Sequence, residues 1–341
     1  MSIVQQKKFG NTGLKVSPLI IGCMSFGSKT WDEWVQDDKE EAFKILKHAY
    51  DRGIRSYDTA NVYSNGQSEI ILGEFLRKYN IPRETVVIMT KLRFPADENM
   101  DIDFKNMTPE MKLNVVNMQG LSRKSIFSSS RASVKRLGTY IDILQIHRGD
   151  PDTPFEETMG ALNDVVIEGL TRYVGASLML ATEFAEMQFV AEKHGWFKFV
   201  NSQSCYHLMY REDERELIPF AKRHNIALTP FSPLNRGLLC RPLGTETTRS
   251  NSDSVIKTKN LKNYTDWEAS IINRVEKLSI KKNIPMSAIS LAWVLQKGCF
   301  PIVGFSSIER VEEAIDALDV NLTEEEMKYL EEPYQHRELY T

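Results

Sequence analysis

The sequence predicts a closed parallel β/α barrel, a (β/α)8 fold of the TIM type, with an N-terminal β-hairpin and long βα loops at the C-terminal mouth. Three observations lead there. Short apolar runs alternate with longer segments of helical spacing along nearly the whole chain. No internal repeat, low-complexity tract or Gly/Ser linker divides it. With 341 residues, 42% of them hydrophobic, there is material for two modest domains or one full-sized barrel, and the alternation favours the barrel.

In chain order, residues 8–16 read as a hairpin placed to plug the bottom of a barrel. Strands follow at 19–21, 54–57, 86–89, 141–146, 173–176, 199–202, 226–229 and 301–303. They end near Gly22, Asp58, Lys91, His147, Ser177, Gln203, Ser232 and Gly304. Between them, Thr153-Pro154-Phe155-Glu156 reads as an N-cap, a proline at the first helical position and a reciprocal Glu, with Gly169 closing that helix. Val311, Ala314, Ile315 and Leu318 make one apolar helix face, and Thr323-Glu324-Glu325-Glu326 is a capping box. Two polar excursions, 92–121 and 233–264, break the repeat. Each follows the carboxyl end of a strand, where barrel enzymes build lids and binding loops.

Charge and composition narrow the function. With 43 basic and 46 acidic residues intermixed, net −3, no basic block points to nucleic acid. No apolar run is long enough to span a bilayer, and the first eight residues lack the apolar stretch of a secretory signal. Four dispersed cysteines without a CxxC read as reduced thiols, so a cytoplasmic protein is expected, with no metal site. A monomer or weak homo-oligomer is expected.

The strand ends carry the chemistry. In a closed barrel, Asp58, Lys91 and His147 converge on one mouth, with Tyr63 on the loop after Asp58. Each alone has a structural explanation: a turn cap, a surface aromatic, a snorkelling lysine, a satisfied buried imidazole. Together they describe a proton donor. An ammonium within about 4 Å of a phenol contributes up to about 4 kcal/mol at an effective dielectric of about 20. That lowers a phenol pKa of about 10 by as much as about three units before desolvation takes some back. Asp58 would keep Lys91 charged and His147 would orient a carbonyl, so a hydride-delivering partner is required.

Asp58-Thr59-Ala60-Asn61-Val62-Tyr63, Thr90-Lys91 and Gln145-Ile146-His147-Arg148 resemble the signature segments of the aldo-keto reductases, in the family's order. Tyr210-Arg211-Glu212-Asp213-Glu214-Arg215-Glu216 and Phe231-Ser232-Pro233-Leu234 are similar to its fungal aryl-alcohol dehydrogenase-like branch. The resemblance covers about residues 8 to 332 and implies a single barrel domain over 1–341. It implies NADPH-dependent reduction of aldehydes or ketones, with Asp58, Tyr63, Lys91 and His147 as catalytic tetrad and Tyr63 as general acid.

The chain has no GxGxxG, so a Rossmann site is not indicated. The resemblance instead implies extended NADPH/NADP+ across the mouth. Gly22, Cys23 and Met24 match the first-strand turn, beside Asp58. Ser177 matches the nicotinamide carboxamide contact with Gln203 beside it, and Phe231 the aromatic ring on the nicotinamide face. Ser232, Leu234 and Arg236 fall along the pyrophosphate. Gly304, Ser306, Arg310 and Glu313 match the adenosine-phosphate pocket, with Arg310 on the 2′-phosphate. Leu178 and Ala314 depart from the family's more usual Asn at both places. Trp31, Trp34 and Phe94 are placed to wall a pocket for a small-molecule carbonyl substrate.

Two other readings stand beside this one. Members of the superfamily also serve as NADPH-binding regulatory or redox-sensing partner proteins with little turnover. A Schiff-base lyase would use Lys91 as nucleophile, but it needs a depressed lysine pKa, which Asp58 opposes.

Overall fold

The computed structural model describes residues 3–98, 100, 102 and 107–339. The chain opens on strands β1 (Lys7–Lys8) and β2 (Lys15–Val16), paired antiparallel with Lys7 opposite Val16. Phe9, at the start of the turn, is fully buried. It packs with Val16, Ile20, Met89, Ile143 and Phe300 in a cluster of its own, its ring 5.2 Å from that of Phe300. These residues fill the lower barrel, so the hairpin plugs the bottom as the sequence predicts. Gly10 takes φ +55, and a Cβ there would stand 2.7 Å from the Asn225 carbonyl, so this turn requires glycine.

Eight parallel strands follow: β3 (Ile20–Gly22), β4 (Ser56–Asp58), β5 (Val87–Leu92), β6 (Ile141–Ile146), β7 (Thr171–Ser177), β8 (Phe199–Gln203), β9 (Ala227–Leu228) and β10 (Ile302–Val303). The sheet runs β10-β3-β4-β5-β6-β7-β8-β9. Phe300 N–H donates to Leu228 O at 2.8 Å and Ile302 N–H to Pro230 O at 2.8 Å, which joins the two edges into a barrel. Covered on both faces, the strands are buried almost throughout, their apolar residues interrupted by buried polar ones such as Asp58, Lys91, Gln145 and Asn201. Alternation sorts them: Ile88, Leu144 and Ile146 face the helices, while Met89 and Ile143 point into the barrel. The same parity aims Lys91 and Gln145 inward one layer nearer the mouth, and His147 one layer beyond them.

The helical layer comprises α1 (Lys39–Asp51), α2 (Gln67–Lys78), α3 (Pro109–Val115), α4 (Arg123–Leu137), α5 (Phe155–Ile167), α6 (Ala181–His194), α7 (Leu217–Arg223), α8 (Thr248–Ser252), α9 (Ser254–Thr258), α10 (Asp266–Lys282), α11 (Met286–Gln296), α12 (Ile308–Asp316) and α13 (Glu324–Glu331). Thr323 and Glu326 form the predicted reciprocal box at α13. The α5 cap differs from expectation. Thr153 does not cap the helix, because its hydroxyl donates to Asp150 Oδ2 at 2.8 Å in the turn after β6. The two polar excursions are partly helical: α3 lies in the first, α8 and α9 in the second.

Candidate active site

β4 delivers Asp58 and β5 delivers Lys91 to the mouth, and the chain leaving β6 delivers His147, whose N–H donates to Leu92 O at 2.9 Å. Tyr63 opens a tight turn in which Ser64, Asn65 and Gly66 have φ of 47°, 50° and 89°. Asn65 fixes this left-handed run, donating to Asp97 O at 2.7 Å and Met100 O at 2.8 Å and accepting from Asp97 N–H at 3.0 Å. The Tyr63 turn is thereby tied to the 92–121 excursion. Gly27 lies against the turn's other side, where a Cβ would meet Ser64 Oγ at 2.0 Å.

Lys91 is the hub. Its Nζ donates to Asp58 Oδ1 at 2.5 Å, to Thr59 O at 2.9 Å and to the Tyr63 hydroxyl at 3.1 Å. With three donors and three acceptors the ammonium is saturated. Lys91 is 0% exposed and Asp58 2%, so the pair sits in a low-dielectric setting where one partner without the other is costly. The Tyr63 and His147 rings meet edge-on at 5.8 Å.

Level with Lys91 lies a polar layer that, apart from Gln203, has no role among the sequence expectations. Gln145 and Gln203 donate to Asp58 Oδ2 at 3.1 and 2.9 Å, and Gln203 also donates to Gln145 Oε1 at 3.0 Å. Asn201 donates to Gln145 Oε1 and Thr229 Oγ1, both at 2.8 Å. The second carboxylate oxygen of Asp58 is thus held as firmly as the first. Strand parity was the available signal: a polar Gln145 two residues before His147, and Asn201 two before Gln203, share an inward face that should otherwise be apolar. Gly175 belongs to this layer, since a Cβ there would come within 2.0 Å of Asn201 Oδ1.

Electrostatics correct one expectation. Burial raises the Tyr63 pKa more than Lys91 lowers it, so the phenol titrates above its ordinary range, not below. For Lys91 the balance is reversed. Burial pushes it down, but Asp58 and Tyr63 together hold it above the ordinary range. A lysine so held is a poor Schiff-base nucleophile. His147 is driven well below its usual pKa, first by burial and then by Lys91, Arg148 and Arg93, so its ring is neutral at pH 7. Its Nδ1 is buried without a hydrogen-bond partner, so the rest of the ring's hydrogen-bonding capacity is at Nε2.

The rim is aromatic. Phe94 packs edge-on against His147 at 5.3 Å, and Trp31 stands 6.1 Å from Tyr63. Trp34 does not reach Tyr63; it packs behind Trp31 at 6.4 Å, under the Arg249 guanidinium. Around the rim, Gly22 pairs with Asp58 across β3 and β4, and Ser177 with Gln203 across β7 and β8. Cys23 and Met24 form a short turn after β3, whose Cys23 carbonyl accepts from Ser68 Oγ at 2.7 Å. Leu178 has φ +49, a conformation an Asn tolerates better than a branched apolar residue, which gives a backbone reason for the family's usual Asn there.

Two groups of residues on the rim suit an anion. Leaving Phe231, the chain turns through Ser232, Asn235, Arg236 and Gly237 at φ of 52°, 44°, 55° and 93°. Arg236 there makes a two-oxygen contact with buried Asp253, at 3.0 and 2.8 Å. Leu234 lies in the same turn. Beyond β10, Gly304 and Ser306 are exposed, Ser307 caps α12, and Arg310 contacts Glu313 at 2.5 Å. A Cβ on Gly304 would project towards Ser25 Oγ at 3.7 Å and the Gly22 carbonyl at 4.0 Å, so glycine keeps the rim between β10 and β3 open. Arg236, on buried Asp253, and Arg310, on the partly exposed Glu313, place two guanidinium groups that suit an extended anionic dinucleotide.

The model of the Aldo/keto reductase family matches residues 18–335. The chain belongs to the aldo/keto reductase family. It is 59% identical over 335 residues to a Saccharomyces cerevisiae protein that carries the provisional name aryl-alcohol dehydrogenase, covering 98% of each chain. It is 45% identical to the versiconal hemiacetal acetate reductase of Aspergillus parasiticus, over 97% of each. A Schizosaccharomyces pombe protein, also provisionally named as an aryl-alcohol dehydrogenase, is 50% identical over 95% of this chain and 94% of its own. Membership of the aldo/keto reductases supports an oxidoreductase acting on small carbonyl compounds with a nicotinamide cofactor. Among the described residues, no helix is long and apolar enough to cross a membrane, and no group of His, Cys, Asp and Glu is placed to hold a metal ion.

Proposed function

We propose that this protein reduces aldehydes or ketones to alcohols with NADPH, Tyr63 supplying the proton to the carbonyl oxygen. One observation carries the reading: buried Lys91 bridges Asp58 and the Tyr63 hydroxyl beside a neutral His147.

The residues divide the work. Neutral His147 offers an Nε2 N–H to a carbonyl oxygen, orienting it towards the Tyr63 hydroxyl. Tyr63, protonated across the physiological range, gives up its proton as charge grows on that oxygen. Lys91, locked by Asp58 and by Thr59 O, keeps a fixed positive charge 3.1 Å from the resulting phenolate oxygen. Burial makes that phenolate harder to form, and Lys91 offsets part of the cost. Gln145 and Gln203 hold Asp58 so that the geometry survives the shift of charge.

When bound, the reduced nicotinamide supplies the hydride. Gly22, Cys23, Met24, Ser177 and Phe231 are assigned to its nicotinamide end, and Ser232, Leu234 and Arg236 to the pyrophosphate. Gly304, Ser306, Arg310 and Glu313 are assigned to the adenosine phosphate, and Arg310 favours NADPH over NADH. Trp31 and Phe94 make the entrance suit flat aromatic carbonyls.

The experiment follows reduced-nicotinamide absorbance with NADPH, then NADH, against aromatic and aliphatic aldehydes. Rapid NADPH consumption with benzaldehydes supports the proposal. Tight NADPH binding without turnover across the panel rejects it in favour of a sensor or partner protein.

A further inference from the structure

The geometry points to Arg249, on α8 in the 233–264 excursion, as a positioning residue for the aromatic wall of the substrate pocket. Its guanidinium carbon lies 4.1 Å from the centre of the Trp34 ring, and its Nε donates to Asp253 at 3.1 Å. Trp34 in turn packs on Trp31 at 6.4 Å, and Trp31 on Tyr63 at 6.1 Å.

Nothing polar anchors Trp34, because its buried Nε1 has no hydrogen-bond partner. Its orientation rests on ring contacts, and the cation above one face is the directional one among them. Asp253 is fully buried and fixed from several sides, accepting from Arg236 and from the Val255 and Ile256 amides. It gives Arg249 a rigid base. The wall that meets the substrate is therefore set from a loop some 215 residues further along the chain, well beyond the first-strand loop that carries it. Another tie between the two loops runs from Ser254 Oγ to Asp32 at 2.9 Å.

As a specificity device the inference rests on the proposed carbonyl reduction, but its structural half can be read without turnover. The protein is labelled with 5-fluorotryptophan, and the signals of Trp31 and Trp34 among its five tryptophans are assigned from Trp31→Phe and Trp34→Phe. Arg249→Met is expected to move those two signals and leave the other three in place. Arg249→Lys should restore them in part, and Ser254→Ala should leave them unmoved. In turnover, Arg249→Met should raise KM for benzaldehyde about tenfold, the scale of a lost, partly desolvated cation–π contact. KM for propanal and kcat should be unchanged.

Unmoved Trp31 and Trp34 signals would overturn the inference, as would equal displacement by Ser254→Ala or an equal KM rise for propanal. A wild-type protein that reduces no carbonyl while Arg249→Met still moves the two signals would remove the proposed reaction and leave the positioning role standing.

Discussion

Lys91 Nζ stands 3.1 Å from the Tyr63 hydroxyl, yet the phenol it faces titrates above the ordinary tyrosine range because both groups are buried. A proton donor must be protonated at rest, so a raised pKa keeps Tyr63 competent over a wide range. The kcat/KM for carbonyl reduction should therefore stay level from neutrality to about pH 10 and fall only beyond it, as the phenol ionises. A fall centred near pH 7 to 8 in a pH–rate profile would mean that Lys91 outweighs burial after all.

The Asp58–Lys91 pair is expected to matter to folding as well as to chemistry. Lys91→Met leaves Asp58 buried without its cation, and urea unfolding should show a loss of about 3 to 5 kcal/mol. The double variant Asp58→Asn with Lys91→Met removes both charges and should recover part of that stability while remaining inactive. A single variant as stable as the wild type would contradict the desolvated pair.

Arg310 is held by Glu313 at 2.5 Å and is assigned to the 2′-phosphate. Arg310→Ala should weaken NADPH binding about ten- to a hundredfold, the loss expected for hydrogen bonds to a charged group, and leave NADH nearly unchanged. Fluorescence titration with both cofactors checks this. Equal weakening would reject the assignment.

His207 supplies an acid-sensitive element outside the tetrad. Its buried Nδ1 accepts the Met209 N–H at 3.2 Å, and burial, reinforced by Arg337, lowers its pKa to about 3. A depressed histidine contributes its full stability above the unfolded pKa of about 6.5, and the contribution is lost as pH falls towards the folded value. Unfolding free energy should thus decline below pH 6.5, with His147 adding to the slope. His207→Asn, which keeps an acceptor for Met209, should reduce that decline by about 1.4 kcal/mol per pH unit. An unchanged slope in the variant would place His207 in contact with water.

Much of this architecture was legible in the chain. The run 141–146 matches β6 at both ends, and all eight expected strands occur, because a barrel strand buried on both faces is a short, mostly apolar run between turn signals. The convergence of Asp58, Lys91 and His147 followed from strand ends alone. The resting charge balance at Tyr63 did not, since it depends on how completely the hairpin, the helices and the rim exclude water. Thr153 looked like a helix cap, but the Asp150 that takes its hydroxyl is placed by the turn after β6. Trp34, expected in the pocket wall, packs on Trp31 under Arg249, an arrangement set by a loop distant in sequence.

The most direct test of the central claim is a single-turnover measurement on Tyr63→Phe with NADPH and an aromatic aldehyde. Loss of nearly all reduction with NADPH affinity unchanged is the predicted result, because only the proton donor is removed. Turnover at the wild-type rate would contradict the assignment of Tyr63, and with it the role given to Lys91 and Asp58.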